Sequence, residues 1–126
     1  MTDRIDRISK VLNETSIAHE CYHDCIHVRL PGEFGILELK LWPDGSDSIQ
    51  LINGDFHTHA DIIAIEYGQS PDAAFATLAS KILTSELLLI EETSPKGDKR
   101  KTIAESLEDY LRYLPKGTNY RVANKT

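Results

Sequence analysis

The chain has 126 residues, 40% hydrophobic and 27% charged, with a formal charge of −6. That length suits a single domain over residues 1–126 and excludes an eight-stranded α/β barrel with its helices. No apolar run exceeds the four residues of Leu87 to Ile90, too short to span a bilayer, and MTDRIDRISK lacks the apolar stretch of a secretory signal. The expectation is a cytoplasmic protein with no membrane partner.

Ile5, Ile8, Val11 and Leu12 recur at helical spacing among charged residues, which predicts a short amphipathic N-terminal helix ending within Asn13 to Ser16. From about Tyr22 the period becomes two. Ile26, Val28 and Leu30 alternate with Cys25, His27 and Arg29, as a half-buried strand requires, and Pro31-Gly32 closes it. Residues 33–42 repeat the alternation, with Leu37, Leu39 and Leu41 on one face and Glu38, Lys40 and Trp42 on the other. Pro43-Asp44-Gly45 then supplies a turn. A third strand returns through Ile49, Leu51 and Phe56, and the short loops imply an antiparallel meander.

Ser70-Pro71-Asp72 opens a helix over about 71–84, because the Ser side chain caps free N–H groups and Pro fits the first turn. Its stripe of Phe75, Leu78 and Ile82 is expected to meet Leu37, Leu39 and Leu41. Leu87 to Ile90 is short enough for a buried strand or a helix end, with strand preferred. Thr102 and Glu105 have capping-box spacing and predict a helix over 102–114, stopped by Pro115-Lys116-Gly117. Tyr120 and Val122 form a last edge strand, with Lys125 and Thr126 frayed. The fold class expected is α+β: a mainly antiparallel sheet with helices packed on one face and a short N-terminal helix.

Charge is uneven along the chain. Residues 1–32 hold four bases and five acids, residues 33–92 two bases and eleven acids, and residues 93–126 eight bases and four acids. An acidic middle repels nucleic acid and favours a basic protein partner. The bases Lys96, Lys99, Arg100 and Lys101 cluster around Gly97 as a solvated turn and lack the interleaved aromatics of a nucleic-acid surface. Cys21 and Cys25 lie on an extended stretch, where their α-carbons stand roughly 13 Å apart, beyond the roughly 7 Å a disulfide spans. Both are expected to be free thiols.

The histidines form two sets: His19, His23 and His27, then His57 and His59. On a strand, His57 and His59 share a face about 7 Å apart, and Asp55 and Asp61 share it with them. This makes Asp55, His57, His59 and Asp61 the candidate binding set, within which His57, His59 and Asp61 are candidate metal ligands and zinc is the alternative to a cofactor-free protein. The plain alternative is a polar pair that only hydrogen-bonds carboxylates. His19-Glu20-Cys21-Tyr22-His23 spells HExxH, but the extended pattern it runs into separates the two histidines by roughly 13 Å. His19, Cys21, His23, Cys25 and His27 read as a polar outer face with small buried thiols.

Asp55-Phe56-His57-Thr58-His59 resembles the first-strand DxHTH of the PHP and amidohydrolase metalloenzymes, whose large barrel the remaining 67 residues cannot supply. It also resembles the HxH of JAB/MPN metalloproteases. That resemblance implies His57 and His59 as ligands, Asp61 or Asp72 as a third, Glu33 or Glu38 as the acid that activates water, and Ser70 as the downstream serine. Ala60 stands where that family has Pro, and Ala73 where it has its metal-binding Asp. Across roughly residues 25–92 the order of elements is similar to small bacterial α+β proteins of toxin-immunity loci: His57-Thr58-His59-Ala60-Asp61, a helix opening Asp72-Ala73-Ala74-Phe75, then a strand from Leu87 to Glu91. This implies a non-catalytic interaction protein, an immunity-type inhibitor binding a basic partner through an acidic surface. A JAB-like metal-dependent hydrolase is the competing expectation.

Overall fold

A computed structural model describes residues 2–124, with side chains from Arg4 to Asn124; the expectation of fraying at Lys125 and Thr126 lies outside the described residues. Helix α1 (Thr2–Glu14) buries Ile5, Ile8 and Leu12 and ends where Ser16 turns to a left-handed φ of 59°. Strands β1 (Glu20–Cys21), β2 (Cys25–Leu30), β3 (Gly35–Leu41), β4 (Asp47–Leu51) and β5 (His57–Thr58) follow in sequence and pair in that order, antiparallel throughout. Gly32, in the turn after β2, has φ +67°, and a side chain there would meet the Ala123 carbonyl oxygen at 2.5 Å, so this turn demands glycine twice over.

Two helices come next, α2 (Ala60–Tyr67) and α3 (Pro71–Leu83). Ser70 caps α3 by accepting from Ala73 N at 3.3 Å, with Pro71 in the first turn. β6 (Leu88–Thr93) and β7 (Lys99–Ala104) form a hairpin, the short α4 (Leu107–Arg112) is capped by Ser106, and β8 (Asn119–Val122) pairs with β6 on its other side. The result is α+β, with a five-stranded sheet and a three-stranded sheet ordered β7-β6-β8.

One face of the larger sheet is the core. Ile26, Val28, Leu30, Leu37, Leu39, Leu41, Ile49 and Leu51 are all buried on it. α1 and α3 lie against β2 and α2 against β4, so Phe75, Leu78 and Ile82 share one apolar cluster with the three leucines of β3 as their period indicated. No described helix packs on the opposite face, which bears one polar row across all five strands: Glu20, His27, Glu38, Gln50 and His57 stand opposite one another in turn.

Four expectations need correction. The helix over 102–114 is instead a strand followed by one and a half turns of helix: Thr102 and Ile103 lie in β7, drawn into register with the buried β6, and the cap belongs to Ser106. α4 buries none of its residues, so the helices covering the sheet beside α3 are α1 and α2. The strand through Ile49 and Leu51 stops there, because Gly54 N donates back to the Leu51 carbonyl and turns the chain before Phe56. Finally, Lys99, Arg100 and Lys101 belong to β7, opposite Thr93, Glu92 and Glu91; only Lys96 stays in the turn.

Candidate functional site

The segment Asp55 to Asp61 does not run as one strand, so its four flagged residues have separate environments. Asp55 sits in the turn after β4, where its N–H donates to the Lys101 carbonyl at 2.8 Å and its carboxylate pairs with Arg100, tying the larger sheet to the smaller. His57 occupies β5. His59 precedes α2 and places its ring edge-on to that of His57, centroids 4.8 Å apart. Its Nδ1 donates to the Asp47 carbonyl at 2.5 Å; a carbonyl only accepts, so Nδ1 carries a proton and Nε2 is the nitrogen left for other contacts. Asp61 lies in the first turn of α2 and accepts from Ile62 N at 3.0 Å. It does not share a strand face with the histidines. Among the described residues no third donor stands with the two rings as a group that could hold one ion.

Asp47 organises the surroundings. One oxygen of its buried carboxylate accepts from Ala60 N at 2.7 Å, serving as the cap that α2 lacks at His59, and the other accepts from Arg4 at 2.8 Å. Arg4 and Arg7 also donate to Asp72, at 3.1 and 2.9 Å. Burial alone would raise the Asp72 pKa; the bonds from Arg7 and Arg4 outweigh it and hold the carboxyl below its ordinary value. A cleft of about 460 Å³ opens here, lined among others by Arg4, His59, Asp61, Ile62, Ser70 and Asp72. Four of the flagged residues therefore meet, yet Asp72 is neutralised and Ser70 is spent as a cap.

The acids that the JAB resemblance assigns stand elsewhere. Glu33 is an exposed turn residue at φ 56°. Glu38 lies on the outer face two strands from His57, with Gln50 between them in the row, and among the described residues its carboxylate does not stand with His57 in a group that could hold one ion. Both Glu38 oxygens are engaged, Oε1 by Gln50 and Oε2 by His27, each at 2.8 Å. The HExxH letters form no helix: Glu20 and Cys21 make a two-residue strand, and His19 is held by Ser9 at 2.7 Å and the Ile17 carbonyl at 2.8 Å.

What residue reading missed is α2 itself. Ala60, Ile63, Ala64 and Tyr67 recur at i, i+3, i+4 and i+7, a helical signal, and Gly68 ends the helix in the left-handed region. With Ala60, Ile63 and Ala64 turned inward, Ile65 is left 84% exposed and Ile62 53%. Asp61 and Glu66 flank them, exposed and without an ion pair among the described residues. A second cleft of about 250 Å³, with His57, Glu66, Tyr67 and Ile103 in its wall, lies on the other side of Ile62. α2 is thus a ridge between two hollows.

Five of the eleven acids in the middle of the chain pair with bases from its flanks. Asp47 and Asp72 pair with Arg4 and Arg7, Asp55 and Glu92 with Arg100, and Glu91 with Lys99 and Arg121. The ridge acids are among those left over. No described helix is long and apolar enough to cross a membrane. Compared with family models, curated proteins and solved structures, the chain finds no match.

Proposed function

We propose that this chain is a non-catalytic interaction protein, an immunity-type inhibitor that docks a basic protein partner on the α2 ridge. The observation that carries this reading is the exposure of Ile65 and Ile62 between two uncompensated acids, Asp61 and Glu66. An aliphatic pair left in water on an ordered helix has no role in the core, and surface positions of this kind become useful when a partner covers them. The acids favour a partner whose apolar pocket has a basic rim, since complementary charge speeds encounter and rejects acidic competitors. His57 and His59 border the two hollows and supply polar contacts at the rim, while Asp55 acts from behind by fixing the turn that carries them.

The test purifies the product of the gene adjacent to this chain's own, expected to be basic and toxin-like, and titrates it calorimetrically at low and physiological salt; an adjacent product that is neither would count against the reading. The expected result is binding that weakens as salt rises, because exposed charges act over a Debye length of about 8 Å at physiological ionic strength. Ile65→Asp, and separately Asp61→Lys with Glu66→Lys, are expected to weaken it by roughly tenfold or more. Binding unchanged by both variants, or no binding at low salt, would overturn the reading.

A further inference from the structure

On the open face of the larger sheet, Cys25, His27 and Glu38 bring a sulfur, a nitrogen and an oxygen together. Cys25 and His27 are two apart on β2 and so share a face, while Glu38 is the cross-strand neighbour of His27 on β3. Their three ligand atoms lie within 4.8 Å of one another. Cys25 is buried and the other two half-buried, so the donors are held by the sheet rather than waving in solvent.

A Cys, a His and a Glu in a row also describes a nucleophilic triad, and the atoms decide between the two. A triad is a relay: the thiol meets one ring nitrogen and the carboxylate orients the other. Here both contacts are made to the same nitrogen. Cys25 Sγ is 3.6 Å from His27 Nε2, and Glu38 Oε2 is 2.8 Å from that same Nε2. No proton can be passed through the ring from such an arrangement.

Three donors converging on one point is what a metal ion requires. We propose that Cys25, His27 and Glu38 form a zinc-binding site, independent of the docking ridge on α2. Tetrahedral coordination with a Zn–S bond of about 2.3 Å and a Zn–N bond of about 2.0–2.1 Å sets sulfur and nitrogen roughly 3.6 Å apart. Sγ and Nε2 already stand at 3.6 Å. The Nε2 to Oε2 gap of 2.8 Å must open by about half an ångström, within reach of a small Glu38 side-chain rotation.

On binding, the thiol proton leaves to solvent as the sulfur–metal bond forms, and the proton of neutral His27 moves to Nδ1. Thiolate and carboxylate then balance the two positive charges. A donor set of one thiolate, one imidazole and one carboxylate matches zinc, whereas calcium and magnesium take oxygen. Supporting contacts are in place. Gln50 holds the second Glu38 oxygen at 2.8 Å, and the Tyr22 ring packs at 4.9 Å from that of His27. Lys40, the neighbouring cation, is turned toward Asp24 and the Trp42 ring. With three protein ligands on a face that no described helix covers, the fourth position opens to solvent or to a donor from a bound molecule.

The experiment uses tag-free, fully reduced chain, stripped of metal and titrated with zinc against a chromophoric chelator, with cobalt(II) as a spectroscopic stand-in. One ion per chain is expected, and the cobalt form is expected to show a thiolate-to-metal charge-transfer band with the d–d intensity of a four-coordinate ion. Cys25→Ser is expected to abolish that band, and His27→Gln and Glu38→Gln each to weaken zinc binding by at least about tenfold. Cys21→Ser and the His57→Ala/His59→Ala pair are expected to bind as the unchanged chain does. Circular dichroism checks the fold of every variant, and the unaltered protein's cobalt spectrum decides the matter even if one fails to fold. No stoichiometric zinc, a cobalt form lacking the thiolate band, or loss of the ion on changing His57 and His59 instead would overturn the proposal.

Discussion

Arg4 of the first helix donates to the buried carboxylate of Asp47 at 2.8 Å, and the same carboxylate caps the N-terminus of α2. One side chain thereby orients two helices on the sheet. Asp47→Ala removes both bonds, leaving the Ala60 N–H without its side-chain acceptor and the partly buried Arg4 held by Asp72 alone. A loss of about 2–4 kcal/mol in urea unfolding is expected, against near zero for Asp61→Ala one helical position beyond. Equal effects of the two would show that Asp47 does not hold α2.

Acid lability follows from Asp72 and Glu38. At each, burial raises the carboxyl pKa and hydrogen bonds outweigh it, from Arg7 and Arg4 at Asp72 and from Gln50 and His27 at Glu38, so both folded-state values are lowered. A carboxyl more acidic folded than unfolded stabilises the fold above its unfolded value, near 4, and that contribution disappears as pH falls through the folded one. Urea midpoints measured from neutral pH down to about pH 2.5 are expected to fall most steeply below about pH 4. Asp72→Asn should start less stable and show a shallower fall; an unchanged acid slope would remove Asp72 from the account.

Phe75 and Ile65 make a paired comparison. Phe75 is fully buried against the sheet whereas Ile65 is almost fully exposed, although both are large apolar residues on neighbouring helices. Phe75→Ala is expected to cost about 3–5 kcal/mol, and Ile65→Ala to stay within about 0.5 kcal/mol of the unchanged chain. A substantial loss at Ile65 would mean that it packs within the chain and is unavailable to a partner.

Asn124 gives a fourth test. Its amide accepts from Leu89 N at 2.9 Å and donates to the Ile82 and Leu87 carbonyls at 2.8 and 2.7 Å, lacing the end of α3 to the start of β6. Asn124→Ala takes their side-chain partner from the Leu89 N–H and the Leu87 carbonyl, while the Ile82 carbonyl still accepts from Ser85 N, and is expected to cost about 2–4 kcal/mol. Hydrogen exchange at Leu89 is the specific readout, and continued protection of that amide would refute the role given to Asn124.

Periodicity made the sheet legible wherever one face of a strand is buried and the other wet, as in Ile26-Val28-Leu30 and Leu37-Leu39-Leu41. It failed where the decisive partner is remote in sequence. Nothing near Ala60 announces a helix start, because the cap is an aspartate thirteen residues earlier; nothing near Thr102 contradicts a capping box, because what draws it into a strand is β6. The candidate site divides in the same way. The histidines of His57-Thr58-His59 do face one another, but Asp55 answers to Arg100, across the boundary between sheets. The Cys25, His27 and Glu38 cluster needs the register of two strands, which spacing within one strand does not contain.

The larger sheet tapers. Its three long strands are bordered by β1 and β5, each of two residues, so the ladder ends on both sides almost as soon as it is exposed. In the smaller sheet the outer strand β7 begins Lys99-Arg100-Lys101, and like charges line up against any second copy of it. Stubby or cationic borders are how β-proteins avoid templating one another into aggregates. At β1 and β5 a visiting peptide meets only two residues of backbone to pair with, too few to add itself as a strand there, and recognition falls to side chains standing on the surface.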